Sequence, residues 1–337
     1  MKHMFFIVGP TATGKSELAA DIAREISAEI VSADAFQIYR GLDLLSAKPD
    51  SSTLAKAPHH LIGTVPLTEE MNAEKYRCAA KRTIKEINSR GKLAIVVGGS
   101  GLYVKALTHG LARLPEADPK LREKLNAMSL DNLRSQLVEL DPEAAKKIDI
   151  KNRRRLVRAL EICLLSGKSA SAHRNQWHAG NLGAGPPRKG DLQIARGGGL
   201  ETAAPCEPTQ TGLSASRGTG VFVFRDRNEL YERINQRVET IFARGVIEEV
   251  RAYAVASATA SQMIGLREIR ELLAGKKSLP QCIAEIQQAT RRYAKRQLTW
   301  FRRQSNFSPL NLSFLTHTEA VNWISLRILS VADTRDD

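Results

Sequence analysis

The order of apolar and polar positions along the chain changes rhythm three times. Met4-Phe-Phe-Ile-Val8 is an unbroken apolar run, and beyond a Gly/Pro turn residues 15–26 carry Leu18, Ile22, Ala23 and Ile26 at helical spacing. This predicts a strand, a loop and a helix. Residues 29–32 and 93–97 predict two further short strands, the second rich in β-branched residues, as strands covered on both faces of a parallel sheet are. A helical pattern over 72–90 lies between them. Strands alternating with helices predict an α/β fold with a parallel sheet.

From about residue 117 the period is helical over 118–128, 130–140 and 152–166, with Asp118-Pro119 and Asp141-Pro142 as helix starts. Residues 178–220 then hold ten Gly and four Pro among 43 positions, a share at which non-periodic sequence stops specifying elements. Residues 221–224 predict a fourth strand, and 228–244, 246–254, 262–274 and 280–303 are helical, while the tail after 306 shows no usable pattern. The predicted organisation is a P-loop NTPase-like α/β core with a parallel sheet over 1–116 and an inserted helical domain over 117–177. A flexible Gly/Pro-rich loop over 178–220, a helical return to the core over 221–305 and a tail over 306–337 complete it.

Composition narrows the function classes. An apolar share of 42% excludes a wholly disordered chain. No apolar run approaches the roughly 18 residues that span a bilayer, and Met4 to Val8 is too short for a secretory core, so a cytosolic location without membrane attachment is expected. The excess of 50 Lys plus Arg over 36 Asp plus Glu, +14 in all, suits a polyanionic partner. Cys78, Cys163, Cys206 and Cys282 are scattered without metal-ligand or disulfide-framework spacing. Arg188, Lys189, Arg196 and Arg217 in the Gly/Pro-rich loop admit a nucleic-acid arm, but composition favours a plain insertion.

Gly9-Pro10-Thr11-Ala12-Thr13-Gly14-Lys15-Ser16 fits GxxxxGK[ST] between a predicted strand and a predicted helix, the context of a P-loop. Its backbone N–H groups and the helix N-terminus would cradle phosphate oxygens, with Lys15 as a point charge and Ser16 as a ligand for Mg²⁺. Asp34 follows the second strand and Gly98-Gly-Ser100-Gly-Leu-Tyr103 ends the third, so both fall on the carboxyl edge of the sheet, where open α/β sheets bind ligands. Asp34 could hold a metal, accept a proton or merely cap a turn. His59-His60 is read as structural, since neighbours in a strand face opposite ways. Arg153 to Arg158 opens one basic helix. Residues 290–303 carry six basic and no acidic side chains among Tyr293, Trp300 and Phe301, a combination that suits phosphate contact with base stacking more than a solvated face.

GPTATGKS, SADAFQIYRG with a following AKP, HHLI, GGSGLY, ADPKLR, RRLVRALE, LYERINQR and TRRYAKRQLTWFRR occur in an order that resembles the tRNA dimethylallyltransferases, over residues 4–303 apart from 178–220. The resemblance implies a P-loop that binds the diphosphate of dimethylallyl diphosphate, with Mg²⁺ near Ser16. It implies Asp34 as base on the adenine amine, Ser100 and Arg122 on the diphosphate, and Lys15 neutralising charge. It implies tRNA contacts at Asp34, Ala35, Phe36 and Gln37, at Arg154, Arg155 and Arg158, and at Arg292, Lys295, Arg296, Arg302 and Arg303. The expected partners are the anticodon stem-loop of tRNA and dimethylallyl diphosphate, acting on a monomeric chain. Ala35 stands where the family has Ser, and Leu266 where it has Tyr. The reaction implied is displacement at an allylic carbon, in which the adenosine at the 3′ side of the anticodon leaves its stack to meet the other substrate. A small-molecule P-loop kinase using ATP and a non-catalytic RNA-binding NTP sensor are the alternatives.

Overall fold

The computed structural model describes residues 4–111, 114–149, 151–173 and 220–333. The chain divides into two compact units, one formed by Met1–Thr108 with Leu213–Asp337 and the other by His109–Gly212.

The first unit is built on a six-stranded, all-parallel sheet. In chain order its strands are β1 (Met4–Val8), β2 (Glu29–Ser32), β3 (His59–His60), β4 (Ala94–Gly98), β5 (Gly220–Phe224) and β6 (Ser308–Asn311), arranged β3-β2-β4-β1-β5-β6. β1 and β4 are apolar at every position because helices cover both faces. The registers bring Val8 opposite Gly98 and Ser32 opposite Val97, so β1, β2 and β4 end together. β1 lies between β4 and β5, and the order reverses there. Loops leaving that edge therefore converge on one crevice.

Helix α1 (Lys15–Glu25) packs Leu18, Ala19 and Ile22 against Phe5, Ile7 and Ile95, together with Ile324 and Ile328 from the C-terminal helix over His317–Asp333. Helices α2 (Ser51–Leu54), α3 (Ala73–Ser89) and α4 (Gly101–His109) follow β2, β3 and β4. Tyr76 of α3 and Tyr103 of α4 stack at 4.0 Å between ring centres. The tail beyond 306, for which no element was expected, supplies β6 and the C-terminal helix. Gly220, assigned to the flexible loop, is the first residue of β5, where an added Cβ would lie 2.6 Å from Phe6. The rest of that loop, residues 178–219, lies outside the described residues.

The second unit contains α5 (Pro119–Ala127), α6 (Leu130–Leu140), α7 (Pro142–Lys147) and α8 (Arg153–Ser166) around Leu125, Leu133, Leu137, Leu156 and Leu160. Asp118, Ser129, Asp141 and Asn152 each accept a backbone N–H at a helix start, the first and third at the Asp-Pro starts expected from sequence. Glu161 is fully buried in this unit and receives Arg122 at 2.6 Å, Arg158 at 2.7 Å and the Asp118 N–H at 3.1 Å.

After β5 the first unit continues with α9 (Arg227–Ala243), α10 (Val246–Arg251), α11 (Leu266–Leu273) and α12 (Leu279–Phe301). The helix predicted over 262–274 begins four residues late, because Gly265 takes a left-handed conformation (φ 97°) as its N-cap. Phe301 anchors the end of α12 against Phe222 of β5, ring centres 5.7 Å apart.

Candidate active site

The P-loop, the Asp34 turn and the Gly99–Ser100 turn leave β1, β2 and β4 at the same edge. Several close approaches shape them. A Cβ on Gly9 would lie 2.1 Å from the Val223 carbonyl, and one on Gly98 would lie 2.2 Å from the Ala33 carbonyl, so side chains are excluded at both strand ends. Gly14 has φ 90° immediately before α1, and Ala12 has φ 66°. The loop thus turns its backbone N–H groups toward the helix N-terminus, the arrangement that binds phosphate oxygens. Thr13 is fully buried and donates to the Pro10 carbonyl at 3.0 Å, closing the loop on itself.

Lys15 Nζ donates to the Pro10 carbonyl at 3.1 Å. Burial lowers the pKa of its ammonium to about 8; the Asp34 carboxylate opposes that shift and Arg237 adds to it. Asp34 Oδ1 accepts the N–H groups of Phe36 (2.9 Å) and Gln37 (3.3 Å) in a tight turn. Ser100 Oγ accepts the Ala35 N–H at 2.9 Å, and the Ser100 N–H donates to the Ala33 carbonyl at 3.2 Å, which locks the Asp34 turn onto the end of β4. Gln37 donates to the Ala47 carbonyl at 2.8 Å.

A cavity of about 740 Å³ lies between these loops and α9. Thr11, Ala12, Gly14, Lys15, Ser16, Asp34, Gln37 and Gly98 line it, so the structure gathers most of the predicted diphosphate site around one space. The opposite wall comes from α9, where Arg233, Gln236, Arg237, Thr240 and Ile241 recur at helical spacing, and from Arg244 at its C-cap. Arg233 donates to the Ala12 carbonyl at 2.9 Å, and Arg225 to the Thr13 carbonyl at 3.0 Å. Burial lowers the basicity of Arg237, a half-buried cation of this wall, and the Asp34 carboxylate opposes that shift. His59 lines the cavity too, with Nδ1 on the Ala57 carbonyl at 2.7 Å and Nε2 unpartnered, while His60 Nε2 meets Glu29 at 2.7 Å away from it.

Helix α12 closes the edge. Gln297 accepts the Thr11 N–H at 2.9 Å and donates to the Gly99 carbonyl at 2.9 Å. Burial and then Asp34 push the Tyr293 phenol up, while Ser100, Arg296 and Gln297 oppose the shift. Arg292, Lys295, Arg296, Arg302 and Arg303 are exposed on the same helix. The Arg296 guanidinium lies 5.7 Å from the Tyr293 ring centre and that of Arg302 lies 5.9 Å from the Phe224 ring centre.

The remaining predicted residues belong to the second unit. Arg122 and Arg158 share Glu161, and Arg158 also donates to the Pro115 carbonyl at 2.9 Å. Arg154 is exposed and Arg155 half-buried on α8. Sequence reasoning did not single out Arg233, Arg237 or Gln297. The two arginines were visible as like charges four residues apart in LYERINQR. Nothing local distinguished Gln297 from its neighbours.

An electropositive P-loop faces a carboxylate across a cavity at the carboxyl edge, beside a helix rich in exposed cations. Such a site can hold a diphosphate and take a proton from a nucleophile next to it. A model of the IPP transferase family matches residues 37–304, beginning beyond the P-loop and Asp34. The chain is similar to the tRNA dimethylallyltransferase of Akkermansia muciniphila, 38% identical over 299 residues that make up 89% of this chain and 90% of that protein. It is also similar to the solved full-length tRNA isopentenylpyrophosphate transferase of Bacillus halodurans, with a TM-score of 0.67 and 28% identity over 100% of both chains. A solved eukaryotic dimethylallyltransferase acting on tRNA shares the fold, with a TM-score of 0.74 at 23% identity over 98% of this chain and 80% of that one.

Proposed function

The chain belongs to the IPP transferase family, and we propose that it moves a dimethylallyl group from dimethylallyl diphosphate to the exocyclic amine of the adenosine on the 3′ side of the anticodon in tRNA, releasing diphosphate. The observation that carries this reading is the meeting of Lys15, Asp34 and the Ser100 turn at one sheet edge, with Arg237 lining the same cavity as Lys15 and Asp34 and α12 tied to that edge through Gln297.

The roles follow from the chemistry. As the allylic C–O bond breaks, negative charge grows on the departing diphosphate. Lys15, Arg233 and Arg237 line the cavity where the P-loop would hold it, and their positive charge would offset it. The amine attacks the allylic carbon, and the proton it sheds passes to Asp34, whose turn hydrogen bonds occupy Oδ1 and leave Oδ2 for this task. Ser100 holds the Asp34 turn through Ala35. The exposed cations of α12 supply the phosphate contacts that position the RNA.

Ser16 lines the cavity at the start of α1, and its hydroxyl is a hard oxygen donor of the kind Mg²⁺ takes. Ser16 would hold it together with diphosphate oxygens. Bound there, the ion would offset charge on the diphosphate. No helix among the described residues is long and apolar enough to cross a membrane, and we take the chain to act in the cytoplasm as a monomer.

One assay tests the reading: the purified chain with allyl-labelled dimethylallyl diphosphate, γ-labelled ATP and unmodified tRNA. Allyl label entering the RNA is expected. Transfer of the γ-label to an acceptor would make the chain a kinase, and RNA binding with neither label moving would make it a sensor.

A further inference from the structure

We propose that Gln297 is a positioning residue, whose side-chain amide fastens the P-loop to the Gly99–Ser100 turn and so lets the RNA-facing helix set the diphosphate-binding geometry; this rests on the proposed prenyl transfer. Gln297 is 5% exposed. Its Oε1 takes the Thr11 N–H and its Nε2 gives to the Gly99 carbonyl, both at 2.9 Å. Those partners lie 286 and 198 residues away in sequence and end two different strands. One planar group satisfies the part-buried Thr11 donor and a Gly99 acceptor in a buried bond that would otherwise lack a partner. A Glu at this position could accept but not donate, and a Leu could do neither.

The surroundings are built for this contact. A Cβ on Gly99 would lie 2.2 Å from Gln297 Nε2 and 2.9 Å from the Gly9 carbonyl, so the gap between the two turns admits only glycine. One turn before, the Tyr293 phenol is pushed up by burial and by Asp34, with Ser100 and Gln297 opposing the shift. One turn after, the Trp300 ring lies 2.7 Å from where a Cβ of Gly101 would stand. Positions 293, 297 and 300 form one helical face. Arg292, Lys295, Arg296 and Arg303 are exposed, so the residues that clamp the ligand edge are distinct from those offered to RNA.

The test uses full-length wild type, Gln297→Leu and Gln297→Glu, with inorganic diphosphate and an anticodon stem-loop RNA as probes in titration calorimetry, alongside thermal melts and prenyl-transfer kinetics. Loss of the amide should raise the diphosphate Kd and the KM for dimethylallyl diphosphate about tenfold. The stem-loop Kd should stay within about twofold, and kcat at saturating donor should fall less than KM rises. Diphosphate affinity within about twofold of wild type in both variants would overturn the proposal. So would equal losses of diphosphate and RNA affinity together with a lowered Tm, the mark of mere support for the helix. Should the Leu variant fail to fold, the isosteric Glu variant decides alone. Wild type that binds diphosphate but transfers no prenyl group would refute the proposed function, while the Kd comparison would still judge Gln297.

Discussion

Replacing Asp34 separates its two duties. Oδ1 holds the Phe36 and Gln37 N–H groups at 2.9 and 3.3 Å. Asparagine keeps that acceptor and loses the base, whereas alanine loses both. Removing the base should slow the chemical step by about 10²–10⁴-fold, the usual worth of a general base. Losing the turn bonds in Asp34→Ala should cost a further ~1–2 kcal/mol, roughly five- to thirtyfold, in placing the amine. The assay is a rapid-quench single turnover at pH 7, with enzyme in excess over a labelled stem-loop and saturating dimethylallyl diphosphate. Both variants also remove the charge that opposes the lowered pKa of the Lys15 ammonium, about 8 in wild type, and so shift it further down. The expected order is wild type, then Asn, then Ala, with stem-loop affinity retained by Asn. An Asn variant within about fivefold of wild type would show that Asp34 is not the base.

Other predictions bear on the scaffold and the RNA surface. Changing Arg292, Lys295, Arg296 or Arg303 singly to Ala should lower the slope of log K against log salt for stem-loop binding by about one unit or slightly less, measured by filter binding; four unchanged slopes would remove α12 as the RNA surface. Burial raises the pKa of Glu29, but hydrogen bonds from Arg90, His60 and Lys92 outweigh it and hold the carboxyl at about 2. Because the folded pKa is depressed, that stabilisation is complete above the unfolded value near 4.5 and fades as pH falls toward 2. Discounted for the exposed Arg90 and Lys92, it amounts to about 2 kcal/mol, so Tm should fall less steeply over that window in Glu29→Gln than in wild type. Glu161→Ala leaves two arginines without their buried carboxylate and should destabilise the second unit by about 3–5 kcal/mol in denaturant unfolding, where an unchanged midpoint would contradict the buried triad.

The sheet core could be read from local pattern because its strands are short, apolar and flanked by turns. Met4–Val8 and Glu29–Ser32 match the expected spans, and the convergence of the P-loop, Asp34 and Ser100 followed from parallel topology alone. β6 escaped because its four residues include Pro309 and Leu310 is their one buried position. The C-terminal helix escaped because Trp323, Leu326 and Leu329 stay exposed beside buried Val321, Ile324 and Ile328, blurring the stripe that marks a helix face. Arg233 and Gln297 act on backbone groups 198 to 286 residues away, and pairing at that distance leaves no local period to detect.

The most direct measurement is nucleoside mass spectrometry of an anticodon stem-loop after a single turnover with dimethylallyl diphosphate, paired with an assay of the released phosphate species. Prenyl transfer at this site predicts one adenosine, at the 3′ side of the anticodon, heavier by a dimethylallyl group in place of a hydrogen, and an equal amount of diphosphate in solution. An unmodified stem-loop with diphosphate intact on its donor, or release of orthophosphate in place of diphosphate, would contradict it.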